Sequence, residues 1–122
     1  MIYLASPLFA LEEYKMAHRY GATKYWVNRL QQTTNEWVYS PILHYYEMAK
    51  QYNLPKDHVY WKSINHQAID ICNELWILML PCWEKSQGIA DEIAYAKQIG
   101  KKIVFLLIED GKLTILKNEN YL

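Results

Sequence analysis

Apolar residues along the chain change their spacing several times, and each change marks an element. Met1 to Ala5 is a short apolar, β-prone run. Ser6-Pro7 ends it, because proline cannot continue a central strand. From Ala10 to Gln32 there is no proline and helix formers dominate. Leu11, Tyr14, His18, Tyr25 and Leu30 fall near helical spacing, which predicts one long helix or two end to end, with Gly21 as a weak point. After the turn cluster Thr33-Thr34-Asn35, Trp37-Val38-Tyr39 reads as a second strand closed by Ser40-Pro41. His44 to Gln51 predicts a short helix ended by Asn53-Leu54-Pro55.

Asp57 suits the N-cap of the next helix. There Ile64, Ala68, Ile71 and Cys72 recur at i, i+4, i+7 and i+8, an apolar face. Leu75 to Leu80 is a continuous apolar run of strand length, as expected of a central strand covered on both faces. Ser86 to Ile99 predicts a further helix stopped at Gly100, and Ile103 to Ile108 another buried strand. Asp110-Gly111 is a tight-turn dipeptide, and Leu113 to Leu116 fits a short edge strand.

Strands alternating with helices predict an α/β domain over residues 1–122. The expected architecture is a doubly wound, Rossmann- or flavodoxin-like, mainly parallel sheet of four to five strands with helices on both faces. In such sheets ligands bind beyond the carboxyl ends of the strands. Here those ends are Ala5-Ser6-Pro7, Ser40-Pro41, Leu80-Pro81-Cys82-Trp83 and Ile108-Glu109.

Composition narrows the function classes. Lys and Arg together number 13, as do Asp and Glu, so the formal charge is zero. That argues against a nucleic-acid polymer as partner, since such binding needs many cationic phosphate contacts. Two cysteines, Cys72 and Cys82, exclude a disulfide framework. No apolar run approaches the roughly 20 residues of a membrane span, and Met1 to Pro7 lacks the marks of a signal peptide. The expectation is a soluble cytoplasmic protein without a membrane partner. Its 11 Tyr and 5 Trp favour ligand clefts and subunit interfaces. No Walker loop or dinucleotide-binding glycine fingerprint is present. His18, His58 and His66 do not form a metal-ligand spacing with the cysteines. No cofactor or metal is implied.

The stretch from Leu80 to Ile93 combines a strand end, a loop and a helix start. Ser86 can cap that helix, Gly88 permits close approach of a ligand, and the exposed N–H groups favour an anion. Asp91 and Glu92 follow. If Ile89, Ile93 and Ala96 define the core face, a rotation of about 100° per residue turns Asp91 away from it. Glu92 then falls at its border, aimed at the crevice and partly desolvated. The alternative is that both acids merely favour the positive end of the helix.

A resemblance adds to this reading. Ile2-Tyr3-Leu4-Ala5-Ser6-Pro7, Arg19-Tyr20, Ser40-Pro41-Ile42-Leu43-His44, Trp61 and the block from Cys72 to Ala96 resemble the nucleoside 2-deoxyribosyltransferase-like superfamily. The closest likeness is to a branch of small proteins of unassigned function that open with Tyr-Leu-Ala-Ser-Pro. The most specific part is the Leu-Pro-x-Trp-Glu-x-Ser-x-Gly-x-x-x-Glu-Ile pattern. The resemblance implies that Glu92 attacks the anomeric carbon of a nucleoside or nucleotide, forms a glycosyl ester and releases the base. Water or a second base then takes the sugar. This is the logic of a carboxylate nucleophile in retaining glycoside hydrolysis. Tyr3 matches the tyrosine that orients the glutamate. Ser86 matches a position that is Asp in the transferases and Ser in a nucleotide N-glycosidase branch. A hydroxyl there accommodates a 5′-phosphate that an Asp would repel. The resemblance also implies a homo-oligomer in which a neighbouring chain helps close the site. The chain departs from the pattern at three positions: Asn65 and Asn73 stand where Asp is usual, and Cys82 replaces Gly. An Asp facing the base could protonate it as it leaves; Asn65 can only hydrogen-bond it.

The remaining candidates each carry two readings. His44, at a strand end, is a ligand contact or proton donor, or a loop histidine bonding backbone. Arg19 is a phosphate contact or a surface residue of a long helix. Trp61 and Trp83 stack on a base or pack beside buried runs. The expected substrate-binding set is Ser6, Arg19, His44, Asn65, Trp83, Ser86 and Gly88, around catalytic Glu92 and Tyr3. The expected activity is N-glycosidic cleavage of a nucleoside or nucleoside 5′-monophosphate, with deoxyribosyl transfer as a variant. The alternative is a nucleotide-binding or sequestering oligomer without catalysis.

Overall fold

The computed structural model of the chain describes residues 1–55 and 57–116. Lys56 and residues 117–122, part of the single domain expected over 1–122, lie outside the described residues. In chain order the elements are β1 (Ile2–Ala5), α1 (Glu13–Gln31), β2 (Val38–Tyr39), α2 (Pro41–Tyr52), α3 (His58–Ile71), β3 (Glu74–Met79), α4 (Gln87–Gln98), β4 (Lys102–Glu109) and β5 (Lys112–Leu116). A single 3₁₀ turn, Trp83–Lys85, precedes α4.

The strands form one sheet in the order β2-β1-β3-β4-β5. The first four are parallel and β5 returns antiparallel to β4. Asp110 and Gly111 turn the chain between them with φ of 51° and 71°, the left-handed pair that a two-residue hairpin requires. The alternation of strand side chains separates two apolar layers. Tyr3, Ala5, Leu75, Ile77, Ile103 and Phe105 pack against Ile69 of α3, Cys72 just beyond it, and Ile89 and Ala96 of α4. On the other face Ile2, Leu4, Leu78, Val104 and Leu106 pack against Trp26 and Leu30 of α1. A third cluster joins Leu8, Met16 of α1, Trp61 of α3 and four residues of α2. The molecule is thus an α/β structure with helices on both faces of a mostly parallel sheet.

Several boundaries differ from those expected of the sequence. α1 begins at Glu13 rather than Ala10 and runs through Gly21 without a break. α2 begins at Pro41 rather than His44, because Ser40 Oγ accepts the Leu43 N–H at 3.2 Å and Pro41 takes the first helical turn. Pro41 therefore opens a helix as well as closing a strand. The largest correction is in α3, where Ile64 and Ile71 are exposed. The buried stripe is Trp61, Asn65, Ile69 and Cys72. A polar residue in that stripe hides it from a search for apolar periodicity. Asp57 Oδ1 and Ser86 Oγ cap α3 and α4 as expected, accepting the Tyr60 and Ile89 N–H groups, each at 3.2 Å.

Candidate active site

Strand order reverses its direction of growth between β1 and β3, and such a point leaves a crevice beyond the carboxyl ends of the strands. A cavity of about 450 Å³ occupies that place. The loop after β1 contributes Ser6, Pro7, Leu8 and Phe9. α2 supplies Pro41, Ile42 and Tyr45, and α3 supplies Val59 and Asn65. The loop before α4 and its first turns add Lys85, Ser86, Gly88 and Glu92. One wall is therefore apolar and helical, and the opposite wall is the polar N-terminus of α4.

Glu92 lines this cavity and is only 6% exposed. α4 places it there because Ile89 and Ala96 anchor the same face into the core. β1 brings Tyr3 beneath it, and the Tyr3 hydroxyl donates a hydrogen bond to Glu92 Oε2. Burial pushes the Glu92 carboxyl up to about 8, with the neighbouring Asp91 charge adding to the rise and the Tyr3 bond opposing it. Burial, and then the Glu92 charge, hold the Tyr3 hydroxyl well above its ordinary range, so it stays a donor.

Asp91 is turned from the core, as helix geometry implies, but not into open solvent. It leans onto α3, where Oδ2 lies 2.7 Å from His66 Nε2 and Oδ1 lies 3.3 Å from Lys62 Nζ. The two adjacent acids thus have separate environments, one paired at the surface and one desolvated in the cavity.

The structure brings Ser6, Arg19, Asn65, Ser86, Gly88 and Glu92 to one cavity. Ser6 is buried, with Oγ 2.9 Å from Thr23 Oγ1. Arg19 Nη1 donates to the Leu8 and Phe9 carbonyls, at 3.2 and 2.7 Å, bracing the loop that forms the first wall. Ser86 lines the cavity, and its Oγ caps α4. Asn65 is 8% exposed, and its Oδ1 has no hydrogen-bond partner.

Two expected contacts are not brought to the cavity. His44 is exposed, its ring 6.1 Å from that of Tyr39. With α2 starting at Pro41, the helix turns Tyr45 inward in its place. Trp83 packs near Phe105, ring centres 5.8 Å apart, and lines a separate shallow hollow with Met79 and Ile93. Trp61 is buried and stacks on Tyr45 at 4.1 Å, donating from Nε1 to the Pro55 carbonyl at 2.7 Å. Asn73 lies apart, donating to Glu36 Oε1 at 2.9 Å. Cys72 is buried, and burial pushes its thiol up. Cys82 is exposed and lines the cavity with φ of 72°, a left-handed conformation that favours glycine.

Tyr45 and Lys85 line the cavity without having been singled out in the sequence. Lys85 was in view as the residue before the helix cap; Tyr45 needed the earlier start of α2. Among the described residues no group of three or more His, Cys, Asp or Glu side chains comes together as a metal site. His18 is exposed, and the His58 side chain lies outside the described residues. Among the described residues no helix is long and apolar enough to cross a membrane.

Residues 1–108 match the family described as a domain of unknown function, DUF1937, and the chain belongs to that family. No curated protein matches the chain.

Proposed function

We propose that this member of the DUF1937 family is an N-glycosidase of nucleosides or nucleoside 5′-monophosphates that works through a glycosyl ester on Glu92. One observation carries the reading: a buried carboxyl group lining a cavity, with one oxygen held by a tyrosine hydroxyl and the other left to act. The sheet order fits a doubly wound, flavodoxin-like fold, whose ligands lie at the β1/β3 switch point. The motif likeness to the nucleoside 2-deoxyribosyltransferase-like superfamily supports the same assignment.

In the first step the Glu92 carboxylate attacks the anomeric carbon. The C–N bond breaks, its electron pair stays on the base, and the base takes a proton from water, because Asn65 has none to give. In the second step water attacks the same carbon, Glu92 leaves as carboxylate, and the water proton passes to solvent. Desolvation makes the carboxylate a stronger nucleophile once it is ionised. Tyr3 positions it. The N-terminus of α4, with Ser86 and Lys85, offers a place for a 5′-phosphate. Delivery of the sugar to a second base in place of water is the transfer variant.

A second reading, a nucleotide-binding or sequestering oligomer, is favoured by Asn65, an amide where the resemblance has an acid. One experiment separates the two. The protein is incubated with ribo- and deoxyribonucleosides and their 5′-monophosphates, free base is measured by chromatography, and Glu92→Gln runs alongside. Base release by the wild type alone is the expected result. A nucleotide-dependent thermal shift without base release selects binding without turnover.

A further inference from the structure

Asn65, a residue of the cavity wall, carries a polar atom that the protein leaves unsatisfied. Asn65 Oδ1 is buried and has no hydrogen-bond partner among the described residues. Leaving a buried acceptor unpaired is destabilising, and an apolar side chain of similar size would avoid that penalty. Asn65 lies on the buried stripe of α3 between Trp61 and Ile69, where such a side chain would fit the pattern. Such an acceptor, on a residue that lines a cavity, is satisfied when a small turn of the side chain presents it to a ligand donor.

We propose that Asn65 reads the departing base, its Oδ1 accepting from an N–H donor, so that the site selects nucleobases carrying an exocyclic amine. The inference rests on the nucleoside reading above. Position argues for base over sugar as the source of the donor. Asn65 and Val59 come from α3 and Ile42 and Tyr45 from α2, and these two helices give the cavity an apolar surface suited to a flat heterocycle. Ser86 caps α4 and Gly88 and Glu92 lie on it, where the sugar must sit for attack. A few placed polar groups on apolar walls are how small-molecule sites fix identity. A site built to bond a substrate N–H discriminates strongly against the analogue lacking it, because its own buried group is then left unpaired. An amide also matches the adjacent donor and acceptor of an adenine edge.

The test uses Glu92→Gln protein, which holds nucleotides without cleaving them, and measures Kd. Ligands are matched pairs: the 6-aminopurine nucleotide against the unsubstituted purine nucleotide, and the cytosine against the uracil nucleotide, each with ribose and with 2′-deoxyribose. The expected result is at least tenfold tighter binding of each amino member, independent of the 2′-hydroxyl. Adding Asn65→Leu should erase the preference and raise the melting temperature, since the orphaned atom is gone. Adding Asn65→Asp, which keeps an acceptor, should retain the preference. Tighter binding of the uracil member would overturn the proposal by placing the amide nitrogen at the base. Discrimination that follows the 2′-hydroxyl would overturn it in favour of a sugar contact. Equal binding within both pairs would overturn it and leave the glycosidase reading intact. Absence of nucleotide binding altogether would overturn both.

Discussion

The Tyr3 hydroxyl donates to Glu92 Oε2, joining the first strand to the fourth helix across 89 residues of chain. The bond is buried, and it opposes the burial that drives the carboxyl toward its neutral form. Tyr3→Phe removes that opposition. In the proposed mechanism Glu92 acts as carboxylate, so base release should rise with pH through about 8 in the wild type. In Tyr3→Phe this limb should move to higher pH. The plateau rate should fall on the order of tenfold to a hundredfold, because the nucleophile is less well held. Pre-steady-state base release across pH 5–10 checks both. An unmoved limb would remove Tyr3 from the control of Glu92.

Asp91→Asn should act in the opposite direction. The Asp91 charge raises the Glu92 pKa, so neutralising it should move the same limb to lower pH. The substitution also breaks the contacts to His66 and Lys62 on α3. That should cost about 1 kcal/mol of stability, the scale of a partly exposed ion pair. The pH profile and a denaturant titration read the two effects separately. A limb moving upward on loss of Asp91 would contradict the electrostatic assignment.

Glu92 should also set the pH dependence of folding. Its folded pKa of about 8 lies above the ordinary carboxylate value of 4.5. Between these values the folded state keeps a proton that the unfolded state releases, so stability falls as pH rises through this window. The loss is complete above pH 8 and amounts to several kcal/mol, on the order of 5. Glu92→Gln carries no titrating group there. It should melt on the order of 20 °C above the wild type at pH 8 and converge with it near pH 4.5, while base release falls by on the order of 10⁴-fold. Scanning calorimetry at pH 4.5, 6 and 8 measures the divergence. Parallel melting curves at all three would show that Glu92 ionises normally in the folded protein.

Much of this arrangement was legible in the chain because local chemistry agreed with the fold. The apolar runs at Leu75–Leu80 and Ile103–Ile108, the caps at Asp57 and Ser86, and the Asp110-Gly111 turn each had one strong local reading, and the structure follows them. The failures have a common physical cause, namely residues that serve two purposes. Pro41 ends a strand and starts a helix, so α2 was expected three residues late and His44 was placed where Tyr45 stands. Asn65 is polar yet buried, so apolar spacing puts Ile64 and Ile71 on the face that Trp61, Asn65 and Ile69 share with Cys72. Helix geometry put Glu92 at the edge of the core. The depth of its burial, and the approach of Tyr3, depend on how β1 seats against α4, which no local pattern contains.

Arg19 offers the last test, because loop bracing and phosphate contact predict different kinetics. Arg19 Nη1 donates to the Leu8 and Phe9 carbonyls, and both residues line the cavity. An arginine spent on backbone carbonyls acts by shaping a wall. Arg19→Lys keeps the charge but loses the planar fork that spans two acceptors. KM should therefore rise about threefold to tenfold for nucleosides and 5′-monophosphates alike, as expected when hydrogen bonds worth about 1 kcal/mol each are lost. A direct phosphate contact would instead confine the loss to the monophosphates. Steady-state kinetics on a nucleoside and its 5′-monophosphate, with Arg19→Ala as the charge-removing control, decide between the two. A defect seen with the monophosphate alone would reassign Arg19 from the loop to the substrate.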